Sequence, residues 1–254
     1  MTSEQRPLSK GVLLEDLTWV EAEKVLTPDA VVVIPLGAAA KEHGPHLKLK
    51  NDWLIAEYLR RRVLESTAVV VAPTVAYHFY PAFVEYPGST TLSRETATNM
   101  IVEICRGLAK FGPRKFYVIN TGISTVRALK PAVALLAAEG VQLAYTDLKK
   151  ALAEAEKQVC VQEGGTHADE GETSMMLYID PASVDMAKAV KDFHRGEGPL
   201  TRDQSSTTGT YSPTGVWGDP TLANRDKGEK LVEALVKDVV KDIGELLACA
   251  PATS

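Results

Sequence analysis

Glu42, His43, His46 and Asp52 place two imidazoles and two carboxylates within eleven residues, directly after the apolar run Ala30 to Pro35. Neutral imidazole nitrogen and carboxylate oxygen together suit zinc, manganese or a similar divalent ion. A carboxylate can bridge two ions, and an imidazole supplies one stronger bond. The same side chains on a solvated surface loop would carry no chemistry, and His-x-x-His spacing alone does not separate the two readings. The difference lies in whether the surrounding elements bury these groups together.

Those elements alternate. Short β-branched runs at Ala30 to Pro35, Ala68 to Ala72, Lys115 to Asn120 and Val141 to Tyr145 each end where polar or glycine-rich loops begin, as suits parallel strands buried on both faces. Helical patterns fall between and after them, at Trp53 to Glu65, Arg94 to Lys110, Val126 to Ala138 and Ala223 to Leu247. This predicts a three-layer α/β/α fold with a mainly parallel central sheet. In such sheets ligands collect at the carboxyl ends of the strands, so the loops after Pro35, Ala72 and Asn120 are expected to meet at one crevice. Residues 195–220, rich in Gly, Pro, Ser and Thr, read as a long ordered loop or lid. No composition shift or repeat marks a boundary, so residues 1–254 are expected to form a single domain.

A net charge of −5 with well-mixed signs leaves no basic block to neutralise a run of phosphates. Nucleic acid and anionic membranes are therefore not expected as partners. No apolar stretch reaches the ~20 residues of a membrane span, and the N-terminus lacks the apolar centre of a signal peptide. A cytoplasmic location is the expectation. The three cysteines, Cys105, Cys160 and Cys249, are widely spaced without a CxxC pair, as fits reduced thiols.

The stretch IPLGAAAKEHGPHLKLKND resembles the signature of the creatininase (creatinine amidohydrolase) family. There a buried strand ending in Pro-x-Gly runs into Glu-Gln-His-Gly-Pro-His-Leu-Pro, with an Asp nine residues after the first His. His43 and Asp52 keep that spacing. EYPGSTTLSRET, THADEGETSMML and GVWGDPTLANRDKGE are similar to three later family segments, in the same order, so the resemblance spans about Leu17 to the final helix.

The resemblance implies a creatininase-like fold, a metal-dependent hydrolase and a set of site residues. Metal ligands would be Glu42, His43, Asp52 and Glu172, with Asp52 bridging. The family glutamate lies two residues before the histidine, where this chain has Lys41, so Glu42 would supply the carboxylate through a local bulge. The Asn-Gly-His-Gly-Gly-Asn loop matches Asn120 to Thr125, with Gly122 in place of the ligand histidine. Ala82 and Phe83 stand where a Glu-His pair often precedes the Pro-Gly turn. Three readings follow: His46 or His78 fills the vacated place, the site works with one ion, or the metal site is degenerate. Four of the five histidines (His43, His46, His78 and His167) lie in loops expected to meet, which favours the first two.

A divalent ion lowers the pKa of bound water toward ~7, so that hydroxide becomes available for attack on a carbonyl carbon. The matching family histidine implies His167 as the acid that protonates the leaving nitrogen, with Glu172 beside it. His46, His78, Tyr80, Asn120, Ser124 and Trp217 are candidates for binding substrate. The leading expectation is hydrolysis of an amide-type C–N bond in a small polar, cyclic or acyclic, metabolite with one or two Zn or Mn ions. A ring-opening hydrolase or lyase of a cyclic polyol-derived ketone or lactone is the second reading. A non-catalytic metabolite-binding homolog with a degenerate site is the third. The resemblance also implies homo-oligomers, commonly hexamers.

Overall fold

The computed structural model describes residues 9–249. In chain order its elements are β1 (Val12–Leu13), α1 (Trp19–Val25), β2 (Val31–Leu36), α2 (Asn51–Ser66), β3 (Val70–Val71), α3 (Arg94–Ala109), β4 (Lys115–Asn120), α4 (Val126–Ala137), β5 (Gln142–Tyr145), α5 (Leu148–Val159), α6 (Glu170–Ile179), β6 (Leu200–Thr201), β7 (Thr210–Tyr211) and α7 (Arg225–Ala248). The first five strands form one sheet in the order β1-β3-β2-β4-β5, and every pairing is parallel.

The period of two along each strand divides the core. Val31 and Val33 of β2, with Tyr117 and Ile119 of β4, face a layer built from α2, α5, α6 and α7. Val32, Ile34 and Leu36, with Phe116 and Val118, face α1, α3 and α4. All residues of β2 and β4 are buried, which explains the unbroken apolar runs Val31 to Leu36 and Phe116 to Ile119. The expected three-layer α/β/α architecture is the one observed.

The four expected strands and four expected helices are all present, with ends shifted by a residue or two. Helices α1 and α5 lie outside the sequence expectation, and α6 carries the GETSMML segment. Among the described residues, no helix is long and apolar enough to cross a membrane. Within the expected lid at 195–220, β6 and β7 pair in parallel through two residues each.

Candidate metal centre and active site

The sheet's two longest strands deliver the site loops. β2 ends at Leu36, and the chain runs through Lys41 to His46 before α2 begins; β4 ends at Asn120 beside it. Gly37 fixes how closely these parts pack, because a Cβ there would sit 2.3 Å from the carbonyl oxygen of Asp52. Only a residue without a side chain lets the first turn of α2 abut the end of β2. Asp52 and Glu172 both lie in the first turns of their helices, α2 and α6, where unpaired backbone N–H groups favour negative charge. Asp169 caps α6, its Oδ1 accepting from the Glu172 N–H at 2.9 Å.

At this junction one ligand atom each from His43, Asp52 and Glu172 lies within 4.8 Å of the other two. Nε2 of His43 is 2.8 Å from Asp52 Oδ1 and 3.5 Å from Glu172 Oε1. Nδ1 of His43 donates to the Lys41 carbonyl at 2.9 Å, which turns Nε2 toward the two carboxylates. One imidazole and two carboxylates so placed could hold a divalent ion. Their separations approach the ~3.3 Å between neighbouring ligands on an ion with bonds near ~2.1 Å. Glu172 is further held by Asn51 Nδ2 (2.9 Å) and the Ala168 N–H (2.7 Å). To make the latter bond, Ala168 adopts φ +48°, the one left-handed conformation at a non-glycine among the described residues, and local backbone strain of this kind is concentrated at functional sites.

Lys41 is brought into the same cluster. Its Nζ lies 2.7 Å from Asp52 Oδ2 and 4.7 Å from the centroid of Phe83, and the residue is 5% exposed. Burial alone would pull its pKa down, but the carboxylates of Asp52, Glu172 and Glu42 outweigh this and hold it above the ordinary lysine value. Burial pushes the Asp52 pKa up, yet Lys41 and His43 keep it well below the carboxylate range.

Glu42 is not brought to the triad, which corrects its expected place among the ligands. Its Oε1 is 2.7 Å from His167 Nε2, and its Oε2 accepts from the Gly44 N–H at 2.8 Å. Neighbouring residues in an extended loop point to opposite sides, so Lys41 faces Asp52 while Glu42 faces away. Burial would lower the His167 pKa, but the Glu42 carboxylate outweighs it and raises that pKa above the ordinary imidazole value. His167 also stacks at 4.2 Å on Phe83 and reaches to 3.8 Å from Glu172.

The remaining candidates separate into two groups. Ser124, Trp217, His167, Glu172, Asp52 and Lys41 line one cavity of about 310 Å³, together with Ala82 and Phe83. His46, His78, Tyr80 and Asn120 are buried and do not line it. Nε2 of His46 is 2.8 Å from Thr173 Oγ1, and Nε2 of His78 is 3.1 Å from the Ala97 carbonyl. Burial depresses the pKa of both to about 4. Neither fills the place beside Gly122. The Asn120 amide donates to the Gly122 and Thr146 carbonyls and shapes its own loop. Lys41 and Phe83 are the participants that a search for donor residues overlooks.

A solved creatininase has this architecture: it overlays with a TM-score of 0.79 at 24% identity, covering 95% of this chain and 100% of that one. A family model described as creatinine amidohydrolase matches residues 15–243. The chain therefore belongs to the creatininase family and is a hydrolase of that type. The mycofactocin precursor peptide peptidase of Mycobacterium tuberculosis is 31% identical over 225 residues, 84% of each chain. The creatinine amidohydrolase of Pseudomonas putida is 29% identical over 259 residues, 94% of this chain and 98% of that one.

Proposed function

We propose that this chain is a metal-dependent amidohydrolase that cleaves an amide-type C–N bond of a small polar molecule. The observation that carries the reading is the convergence of His43, Asp52 and Glu172 on one point at the wall of a cavity. Zinc or manganese suits a donor set of one imidazole and two carboxylates. When bound, such an ion supplies Lewis acidity toward a carbonyl and makes hydroxide available near neutral pH.

The chain's own residues do the rest. His167, whose pKa the Glu42 carboxylate raises against the effect of burial, faces the cavity and delivers a proton to the departing nitrogen. Glu172, oriented by Asn51 and the Ala168 N–H, accepts a proton from the attacking water. Lys41 places a fixed positive charge in the cavity wall where negative charge develops on the carbonyl oxygen. Phe83 packs against both Lys41 and His167 and excludes water from them. Ser124 and Trp217 contact the substrate, and residues 195–220, through Gly198, Leu200 and Trp217, cover one side of the cavity within a single folded domain. We further assign the protein to the cytoplasm as a homo-oligomer.

The cavity of about 310 Å³ favours a compact substrate. The test is to strip the protein with a chelator, reload it with Zn²⁺ or Mn²⁺, and assay small cyclic amides, formamides and short peptides. Metal-dependent release of amine or ammonia is the expected result. Turnover unaffected by stripping, or confined to polyol ketones and lactones, would sink the reading.

A further inference from the structure

The Asp52 carboxylate is shared between two positive partners. Oδ1 faces His43 and the donor triad, and Oδ2 carries the Lys41 ammonium at 2.7 Å. We propose that Lys41 is a built-in replacement for a second metal ion, so that the site holds one divalent ion per chain instead of two. This rests on the metal-dependent reading above and deepens it.

A second ion on the far oxygen of Asp52 needs two or three further donors. Among the described residues, the triad is the one group of His, Cys, Asp or Glu placed to share an ion, so no second such group surrounds that oxygen. Lys41 has three N–H donors and no acceptor in its ammonium form. Gly122 has no side chain, and the neighbouring Thr121 hydroxyl is bonded to the carbonyls of Leu36 and Asp52. Glu42 is the nearest other carboxylate in sequence, but it is occupied by His167 and the Gly44 N–H. Nε2 of His46 and of His78 is taken by Thr173 and Ala97, and Nδ1 of each is buried without a partner, outside the group of donors that could share an ion.

The ammonium is also held in place. Lys41 is fixed by Asp52 at its head and by the Phe83 ring at 4.7 Å. Its backbone N–H donates to the Leu49 carbonyl, and its own carbonyl accepts from His43. The residue that orients the triad histidine is thus the one that brings the extra positive charge. A tethered cation occupies the site permanently, whereas a second ion would have to be recruited from solution against it.

Metal stoichiometry decides the matter without reference to turnover. The wild-type chain, stripped and then titrated with Zn²⁺ by calorimetry, with metal content checked by plasma mass spectrometry, is expected to bind one ion per chain. Lys41→Glu, which exchanges the ammonium for an oxygen donor, is expected to move the content toward two. The triple change Lys41→Glu, Gly122→His and Thr125→Ser is expected to reach two more fully. The Thr125 change is needed because a Cβ at position 122 would meet Thr125 Cγ2 at 2.9 Å. Folding of each variant is checked by circular dichroism. Two ions in the wild-type chain would overturn the proposal while leaving the metal-dependent hydrolase intact. A folded triple variant that stays at one ion would overturn it too. A wild-type chain that binds none would remove the metal reading itself, and this inference with it.

Discussion

His167 Nε2 lies 2.7 Å from Glu42 Oε1, and both side chains are buried. A carboxylate one residue before the triad histidine therefore governs the protonation and aim of the imidazole inside the cavity. Glu42→Gln keeps the shape and removes the charge. It should lower kcat/KM by roughly 10- to 100-fold, the usual cost of losing such a supporting partner. Because Glu42 raises the His167 pKa, the variant loses its imidazolium at lower pH. The alkaline limb of the pH–rate profile is expected to move to lower pH, and an unmoved limb would rule out His167 as the acid.

Asp52→Ala removes a ligand and also leaves the Lys41 ammonium buried beside an empty space. Breaking one side of a buried ion pair costs ~3–5 kcal/mol. The variant is expected to lose both metal binding and thermal stability, with stability recovered by adding Lys41→Met. A non-catalytic homolog with a degenerate metal site predicts the same loss of stability, since the ion pair is there without a metal, but no Zn²⁺ binding in the wild-type chain for the substitution to remove. Zn²⁺ titration of the wild-type chain and both variants, beside calorimetric unfolding, separates these outcomes.

Gly37→Ala tests the scaffold behind the site. The added methyl would meet the Asp52 carbonyl at 2.3 Å, so α2 must shift away from β2. Overpacking of this kind costs ~1–3 kcal/mol or more, and the shift carries Asp52 with it. A lowered Tm together with weaker Zn²⁺ binding is expected. Weaker stability with unchanged metal affinity would show that Asp52 tolerates the displacement.

His78 gives a pH signature independent of the metal centre. Its folded-state pKa is depressed to about 4 by burial, against ~6.5 in the unfolded chain. Between these values the unfolded state holds a proton that the folded state lacks, so stability falls as pH drops from ~6.5 to ~4. The full effect is at most ~3–4 kcal/mol at ~1.4 kcal/mol per pH unit. His46, depressed to about 4 as well, adds a similar slope. His78→Gln should flatten the acid side of the stability–pH curve relative to the wild-type chain, as measured by urea unfolding between pH 7 and 4.

Much of this was legible in the residues. The runs Val31 to Leu36 in β2 and Phe116 to Ile119 in β4 are unbroken because both sheet faces are covered, and that pattern located the strands closely. Helix α5 lies outside the sequence expectation although Leu148, Ala151, Leu152, Ala155 and Val159 recur at helical spacing along the face it packs on the core, so its signal was there to be read. Helix α1 has no buried residue and is marked instead by the Thr18–Glu21 capping box. In the site, the nine-residue interval from His43 to Asp52 and the GETS segment pointed to the groups that converge. The direction of Glu42 was not legible, since which side of an extended loop a residue faces depends on what packs against it. Lys41 was hidden for a related reason: at the level of sequence it registers as a missing ligand, and only the distance to Asp52 reveals it as a charge in its own right.

The sheet ends weakly at both borders, with two residues in β1 and four in β5. So little unpaired backbone leaves small room for one copy's sheet to continue into another's, a restraint that also guards against fibrous aggregation. In the proposed homo-oligomer, contacts between copies would then fall mainly to helix and loop side chains. Such an assembly is open to retuning by single surface substitutions that never touch the strands carrying the site.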